Sequence, residues 1–155
     1  MVVDIQLLKK LREATQVSFA DCKKALDETN NDYKKALEWL RKHGIEKAAK
    51  KGERATFQGI IEAYIHGNGK IGSMVELLCE TDFVARTDEF KKLAHEIAMQ
   101  VSAMNPKNVD ILLKQEYIGD SSKTIGDLVK ETIAKIGENI VVRRIIRMDT
   151  NDYSE

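Results

Sequence analysis

The sequence predicts an α+β protein in which a three-helix bundle precedes a three-stranded antiparallel sheet layered with helices. Three observations support this class. Apolar side chains in the first third of the chain recur every three or four positions, which is the spacing of one helical face. Residues 57–79 instead alternate around a Gly-Asn-Gly turn, as in a β-hairpin. Helical spacing then returns, and residues 139–148 are rich in Ile and Val, as a third strand would be.

The N-terminal bundle contains three short predicted helices. The first spans Ile5–Thr15, with Asp4 as its N-cap. The second follows Ser18, whose spacing to Asp21 is that of a capping box. The third begins after a turn rich in Asn, and Gly44 stands where a helix would end in the left-handed conformation.

The chain divides into four predicted segments. The helical bundle occupies residues 1–45, near the lower size limit for independent folding. Residues 46–54 are rich in Lys and Ala, and we interpret them as a solvated basic linker that is at least partly helical. The α+β core is predicted over residues 55–149, and a short C-terminal tail over residues 150–155.

The core segment contains two predicted amphipathic helices and a short one. The longest covers residues 88–102 after Thr87 as N-cap. Its buried stripe is predicted to be Phe90, Leu93, Ala94, Ile97 and Val101. The single proline breaks the chain after it, and residues 108–117 are compatible with a short helix. The last helix begins at the capping-box pair Thr124 and Asp127 and stops at Gly137.

Composition limits the classes of function. Hydrophobic residues make up 43% and charged residues 32% of the 155-residue chain, as in globular proteins. The 25 basic and 25 acidic residues balance, whereas a general nucleic-acid binder is usually basic. No apolar stretch approaches the length of a membrane span, and the N-terminus has neither a secretory nor a transit-peptide pattern. We therefore expect a cytoplasmic protein that binds neither membrane nor nucleic acid directly.

Cofactor chemistry and covalent catalysis find little support in the sequence. Cys22 and Cys79 lie far apart, so they are expected to be reduced thiols, and no Cys/His pair has a metal-ligand spacing. Residues 67–72 match the glycine pattern G-x-G-x-x-G, but strands flank them on both sides, so a hairpin turn is favoured over a nucleotide site. We expect no metal, no cofactor and no catalytic side chain.

Residues 80–86, Glu-Thr-Asp-Phe-Val-Ala-Arg, join the hairpin to the long helix. Phe83 falls between the two apolar patterns, so neither period fixes its direction. An aromatic side chain at such a corner either packs into its own domain or projects as an anchor for a partner, and the spacing alone favours the core. Thr81 or Asp82 is suited to cap a helix here.

Three motifs resemble the elongation factor Ts family. They are residues 81–86 (Thr-Asp-Phe-Val-Ala-Arg), residues 135–140 (Lys-Ile-Gly-Glu-Asn-Ile), and residues 21–26 (Asp-Cys-Lys-Lys-Ala-Leu) preceded by Leu-Arg-Glu-Ala-Thr at 11–15. They occur in the family's order, and the resemblance covers about residues 1–149.

The resemblance implies that the bundle is ubiquitin-associated-like and docks on the G domain of the GTPase elongation factor Tu. The positions that match the family's docking residues are Lys9, Arg12, Phe19 and Ala20. The last two differ from the Met pair that is common in relatives.

The same resemblance implies a role for the corner between strand and helix. The matching positions are Thr81, Asp82, Phe83 and Val84. In the family, the Asp and the Phe intrude beside the Mg²⁺ site of the GTPase, and the aromatic ring acts as a wedge between helices of the partner. The implied function is guanine nucleotide exchange during translation elongation, without covalent chemistry and therefore without an enzyme's catalytic residues.

Oligomerisation follows from a departure from the family's long members. These carry two related core modules, whereas a single module is recognisable here. One module leaves sheet edges or an apolar sheet face uncovered. We therefore expect two chains to pair through the core as a homodimer.

Two other functions remain open at this point. A pure binding module would dock on the GTPase through the bundle without releasing its nucleotide. An RNA-binding protein would show binding that weakens steeply with salt, and Arg143, Arg144 and Arg147 form a small basic cluster. The neutral net charge and the scarcity of aromatic residues argue against RNA binding.

Overall fold

The computed structural model describes residues 2–152 and confirms the α+β class. Tyr153, Ser154 and Glu155 of the predicted tail lie outside the described residues. The helices are α1 (Ile5–Thr15), α2 (Phe19–Glu28), α3 (Tyr33–Lys51), α4 (Asp82–Ala85), α5 (Asp88–Met104), α6 (Val109–Lys114) and α7 (Ile125–Ile136). The strands are β1 (Gln58–His66), β2 (Ile71–Cys79), β3 (Glu116–Tyr117), β4 (Asp120–Thr124) and β5 (Val141–Asp149).

The predicted helix starts are confirmed by their caps. The Asp4 carboxylate accepts hydrogen bonds from two backbone amides of the first turn of α1. Thr124 and Asp127 form a full capping box at α7, each side chain accepting from the other residue's backbone amide. At α2 the Ser18 hydroxyl accepts from the Asp21 amide, but it donates in return to the Asp21 carboxylate, so the reciprocal backbone bond is replaced by a side-chain bond.

Helix α3 continues past the predicted end at Gly44, so that prediction is wrong. The helix runs on to Lys51 because it packs against α7, where a Cβ added to Gly44 would lie 3.2 Å from the Cβ of Ala134. Arg41 Nε lies 3.6 Å from a carboxylate oxygen of Glu131 on the same interface. Tertiary contact therefore extends the helix into the segment interpreted as a linker.

The three-stranded sheet has the order β1-β2-β5, and both pairings are antiparallel. Gly67 and Gly69 form the β1–β2 turn with φ values of 43° and 82°, a region that glycine enters without a steric penalty. The hairpin interpretation of the glycine pattern is thus confirmed. A second, two-stranded ribbon of β3 and β4 lies beside α7 and was not predicted.

Two separate apolar cores hold the protein together. The smaller one lies inside the bundle and consists of Leu8, Leu11, Cys22, Ala25, Leu26, Ala36 and Leu40. The larger one lies between one face of the sheet and helix α5, and side chains of α6 and α7 complete it. Every member of the predicted stripe of α5 is buried in it. Among residues 2–152, helices therefore cover the sheet on one side only.

A substitution at Gly59 on β1 tests how closely the two hairpin strands approach each other. A Cβ at this position would lie 2.2 Å from the backbone oxygen of Leu77, so Gly59→Ala must displace one strand. We expect the free energy of unfolding to fall by about 2 kcal/mol, as measured by urea denaturation followed by circular dichroism. Gly52→Ala is the matched control, because its Cβ would meet nothing closer than 3.4 Å. Equal stability of the two variants would contradict the strand geometry.

Candidate partner-binding site

The corner after β2 is built around a one-turn helix. Strand β2 ends at Cys79, and α4 begins at Asp82. The Thr81 hydroxyl accepts a hydrogen bond from the backbone amide of Val84 at 3.3 Å and so caps α4. Thr81, and not Asp82, is therefore the capping residue of the two candidates.

Phe83 projects from this corner with 86% of its surface exposed. The preference for a core position that its spacing suggested is wrong. Ala85, two residues later, is only 3% exposed and takes the inward position of the turn. Two residues correspond to about 200° of helical rotation, so the side chain of Phe83 points away from the core when that of Ala85 points into it. Asp82 beside the ring is exposed and paired with Arg86.

The backbone of the corner is held by hydrogen bonds to the carboxylate of Glu138, which lies in the loop between α7 and β5. Glu138 Oε1 accepts from the backbone amides of Glu80 at 3.1 Å and Thr81 at 2.9 Å. Glu138 Oε2 accepts from the Thr81 hydroxyl at 2.7 Å. Burial, and next the negative charge of Glu138, raise the pKa of the Cys79 thiol to about 11.

Sequence reasoning assigned no role to Glu138. Glu138 belongs to the motif at residues 135–140, which supports the family resemblance. The motif by itself indicated no contact and no chemical role for this residue. The contact joins residues 57 or 58 positions apart, so no local period reports it.

The predicted docking residues of the bundle are all exposed. Lys9 and Arg12 lie three positions apart on α1, and therefore on one side of that helix. Phe19, 54% exposed, and Ala20 form the first turn of α2. These four residues belong to the bundle, whereas α4 packs against β1, β2 and α5. The predicted residues therefore form two exposed groups, one on the bundle and one at the corner.

The arginines of β5 are engaged with acidic side chains. Arg144 Nη2 lies 2.7 Å from Glu76 Oε2, and Arg143 Nε lies 3.5 Å from the other oxygen of the same carboxylate. The bond to Arg144 holds the pKa of Glu76 below its usual value. Arg147 donates to the backbone oxygen of Ser102. This cluster therefore offers little free positive charge to a nucleic acid.

The side of the sheet that faces away from the helices is mostly apolar. Five side chains between 45% and 74% exposed define this apolar sheet face: Ile61, Ile65, Met74, Ile146 and Met148. Four of them, all except Ile61, line a shallow hollow of about 400 Å³. The Glu76–Arg144 pair lies beside them on the same face. Monomeric proteins rarely leave contiguous apolar patches of this kind exposed.

Other chemistry is sparse in the part of the chain that the structure describes. Cys22 and Cys79 are free and buried, one in each core. Within residues 2–152 no three His, Cys, Asp or Glu side chains come together in an arrangement suited to a metal ion. His66 Nδ1 lies 3.1 Å from the Tyr64 hydroxyl at the edge of the sheet. None of the described helices is long and apolar enough to cross a membrane.

Comparison with known proteins gives family matches that include both the corner and the bundle. Residues 80–155 match the family model described as Elongation factor TS. Residues 1–52 match the model described as Elongation factor Ts, mitochondrial, N-terminal. The chain is 43% identical to Elongation factor Ts of Coprothermobacter proteolyticus, in an alignment that covers 95% of this chain and 98% of that one. The chain belongs to the elongation factor Ts family.

Further relatives agree with this membership. Elongation factor Ts of Thermotoga neapolitana is 43% identical over 98% of this chain and 99% of its own. That of Thermoanaerobacter sp. strain X514 is 40% identical over 99% and 98%. The chain is thus a translation elongation factor of the Ts type. The alignment with the Coprothermobacter relative runs over 192 positions, more than the 155 residues here, so the relative carries residues within the aligned region that this chain lacks.

The exposure of Phe83 predicts that its ring contributes little to stability. We expect Phe83→Ala to change the free energy of unfolding by less than about 0.5 kcal/mol, because the ring is already in water. Phe90→Ala, which empties a fully buried site, should lower it by about 3–5 kcal/mol. Urea denaturation followed by circular dichroism measures both changes. A loss at Phe83 as large as that at Phe90 would show that the ring is packed.

Proposed function

We propose that the protein is a cytoplasmic guanine nucleotide exchange factor for elongation factor Tu, and that Phe83 is its wedge. The single observation that supports this most directly is the 86% exposure of an aromatic ring on a capped turn. An exposed ring on a rigid corner loses little freedom on binding, and aromatic side chains dominate protein interfaces. Asp82, which is paired with Arg86, places a carboxylate beside the ring and so next to the partner's ion site.

The mechanism rests on differential binding and involves no covalent bond. The GTPase holds GDP through Mg²⁺ and its phosphate loop, and the ring enters between helices that support those elements. The factor then binds the nucleotide-free GTPase more tightly than the GDP-bound form. By thermodynamic linkage, the factor weakens GDP binding by the same ratio. The protein therefore needs no catalytic side chain.

The free energy required for exchange, compared with what one ring provides, indicates that the wedge acts together with the bundle. A thousandfold weakening of GDP binding requires about 4 kcal/mol of differential contact. Burial of one phenylalanine ring provides roughly 1.5–3 kcal/mol. The remainder falls to Asp82 and to the exposed docking group of Lys9, Arg12, Phe19 and Ala20 on the bundle.

Release of a fluorescent GDP analogue from elongation factor Tu tests this proposal. We expect the protein to accelerate release, and Phe83→Ala to slow the accelerated rate by about tenfold or more because the ring contact is lost. Ile118→Ala is the control, since Ile118 is 50% exposed and lies between β3 and β4, near Ile71 at the other end of the hairpin. It should leave the rate unchanged.

Three outcomes of this assay would contradict the proposal. No acceleration by the wild-type protein would exclude nucleotide exchange. Binding to the GTPase without nucleotide release would identify a pure binding module. Equal rates for Phe83→Ala and the wild type would leave exchange intact but exclude the wedge.

We also propose that the protein is a homodimer joined through the apolar sheet face. The five exposed apolar side chains of this face have no cover within residues 2–152. Glu76 and Arg144 lie side by side on this face. A second copy related by a two-fold axis brings its own acid and base to the interface, so that each charge can face one of opposite sign. A second copy thus matches both the apolar area and the charges.

Sedimentation equilibrium at micromolar concentration tests the dimer. We expect the wild-type protein at twice the mass of one chain, and Ile146→Asp as a monomer because a carboxylate would be buried in the interface. Ile118→Asp is the matched control, since Ile118 is 50% exposed, close to the 53% of Ile146, but lies between β3 and β4. A wild-type monomer would exclude this interface.

A further inference from the structure

Within residues 2–152, the backbone has no strand partner where it leaves β2. The last paired residue of that strand is Cys79, opposite Gln58. The next two amides, of Glu80 and Thr81, both donate to one oxygen of Glu138, at 3.1 and 2.9 Å. Hydrogen bonds to a carboxylate are stronger than those to a neutral acceptor. The direction of the chain at the corner is thus set by one side chain from a distant loop.

The same carboxylate orients the cap of α4. The Thr81 hydroxyl donates to Glu138 Oε2 at 2.7 Å, which leaves its lone pairs free to accept from the Val84 amide. Helix α4 has four residues, too few to be stable without such support. Because the Phe83 ring is exposed and is not part of the larger core, the backbone of α4 sets the direction in which it leaves the chain.

The loop that carries Glu138 is itself held in place. The Glu80 carboxylate accepts from the backbone amide of Asn139 at 2.8 Å, so the corner and the loop each accept a hydrogen bond from the other. The Asn139 side chain, 3% exposed, donates to the backbone oxygens of Gly52 and Arg54 just after α3. Glu138 therefore reaches the corner from a fixed position.

We propose that Glu138 is the positioning residue of the exchange reaction, and that it acts by holding the Thr81–α4 backbone so that Phe83 points into the partner. The inference rests on the proposed exchange function. Glu138 need not touch the GTPase, since its carboxylate is occupied by three donors within its own chain. Its loss misdirects the ring without removing it.

The kinetic test is a double-mutant cycle in the assay of fluorescent GDP release. We expect Glu138→Gln to lower the maximal release rate by about tenfold, because a carboxamide cannot accept from both the amides and the hydroxyl. The half-saturating concentration of the factor should change less than twofold. In the Phe83→Ala background, Glu138→Gln should have no further effect, because the group that it positions is absent. Equal losses in both backgrounds would overturn the proposal.

A control and a second variant keep the test decisive. Glu96→Gln removes another half-buried carboxylate, which accepts from the Tyr117 hydroxyl, and should leave the rate unchanged. Thr81→Val deletes the hydroxyl at nearly constant volume and should reproduce the loss seen with Glu138→Gln, without adding to it. If Glu138→Gln does not fold, the cycle of Thr81→Val with Phe83→Ala decides in its place.

Amide hydrogen exchange of the isolated factor, followed by NMR, separates this inference from the exchange function. The amides of Glu80, Thr81 and Val84 should be protected in the wild type and exchange at least tenfold faster in Glu138→Gln, while the Val75 amide inside the sheet is unchanged. Unchanged protection at the corner would overturn the positioning role, even if nucleotide exchange is observed. Failure of the wild type to accelerate GDP release would instead overturn the exchange function, whatever the amides show.

Discussion

The packing of helix α5 against one face of a three-stranded sheet is the constraint on which the other features depend. Burial of the apolar stripe of α5 fixes the height of the helix above the sheet and so the path of the short connection from β2. That connection has room for one helical turn only, with Ala85 inward and Phe83 outward. The same one-sided packing leaves the opposite sheet face uncovered.

The corner also shows how a small polar network can direct an exposed side chain. A ring in water makes few contacts of its own, so its orientation must come from the backbone beneath it. Here three donors from the corner converge on Glu138, and Asn139 ties the neighbouring loop to the end of α3. The network connects three regions that are distant in sequence. Bundle, core and corner are thereby linked through hydrogen bonds at one end of the sheet.

The bundle and the core meet along α3 and α7, and this contact changes the meaning of the segment between them. Lys51 Nζ donates to the backbone oxygen of Gly137 at 3.0 Å, and Ala48 is buried in the larger core. Much of the predicted linker is thus the last part of a packed helix. The connection favours the proposed exchange function, because once one of the two proposed contact groups has bound, the other loses less freedom on binding.

The sequence by itself determined the starts of the main helices, the three strands of the larger sheet and the buried stripe of α5, because each depends on residues within a few positions of one another. Asp4, Thr87 and Thr124 cap their helices as predicted for this reason. Tertiary structure alone decided the direction of Phe83, the hydrogen bonds that Glu138 accepts and the continuation of α3 beyond Gly44. These features depend on contacts between segments far apart in the chain, which have no local period to reveal them.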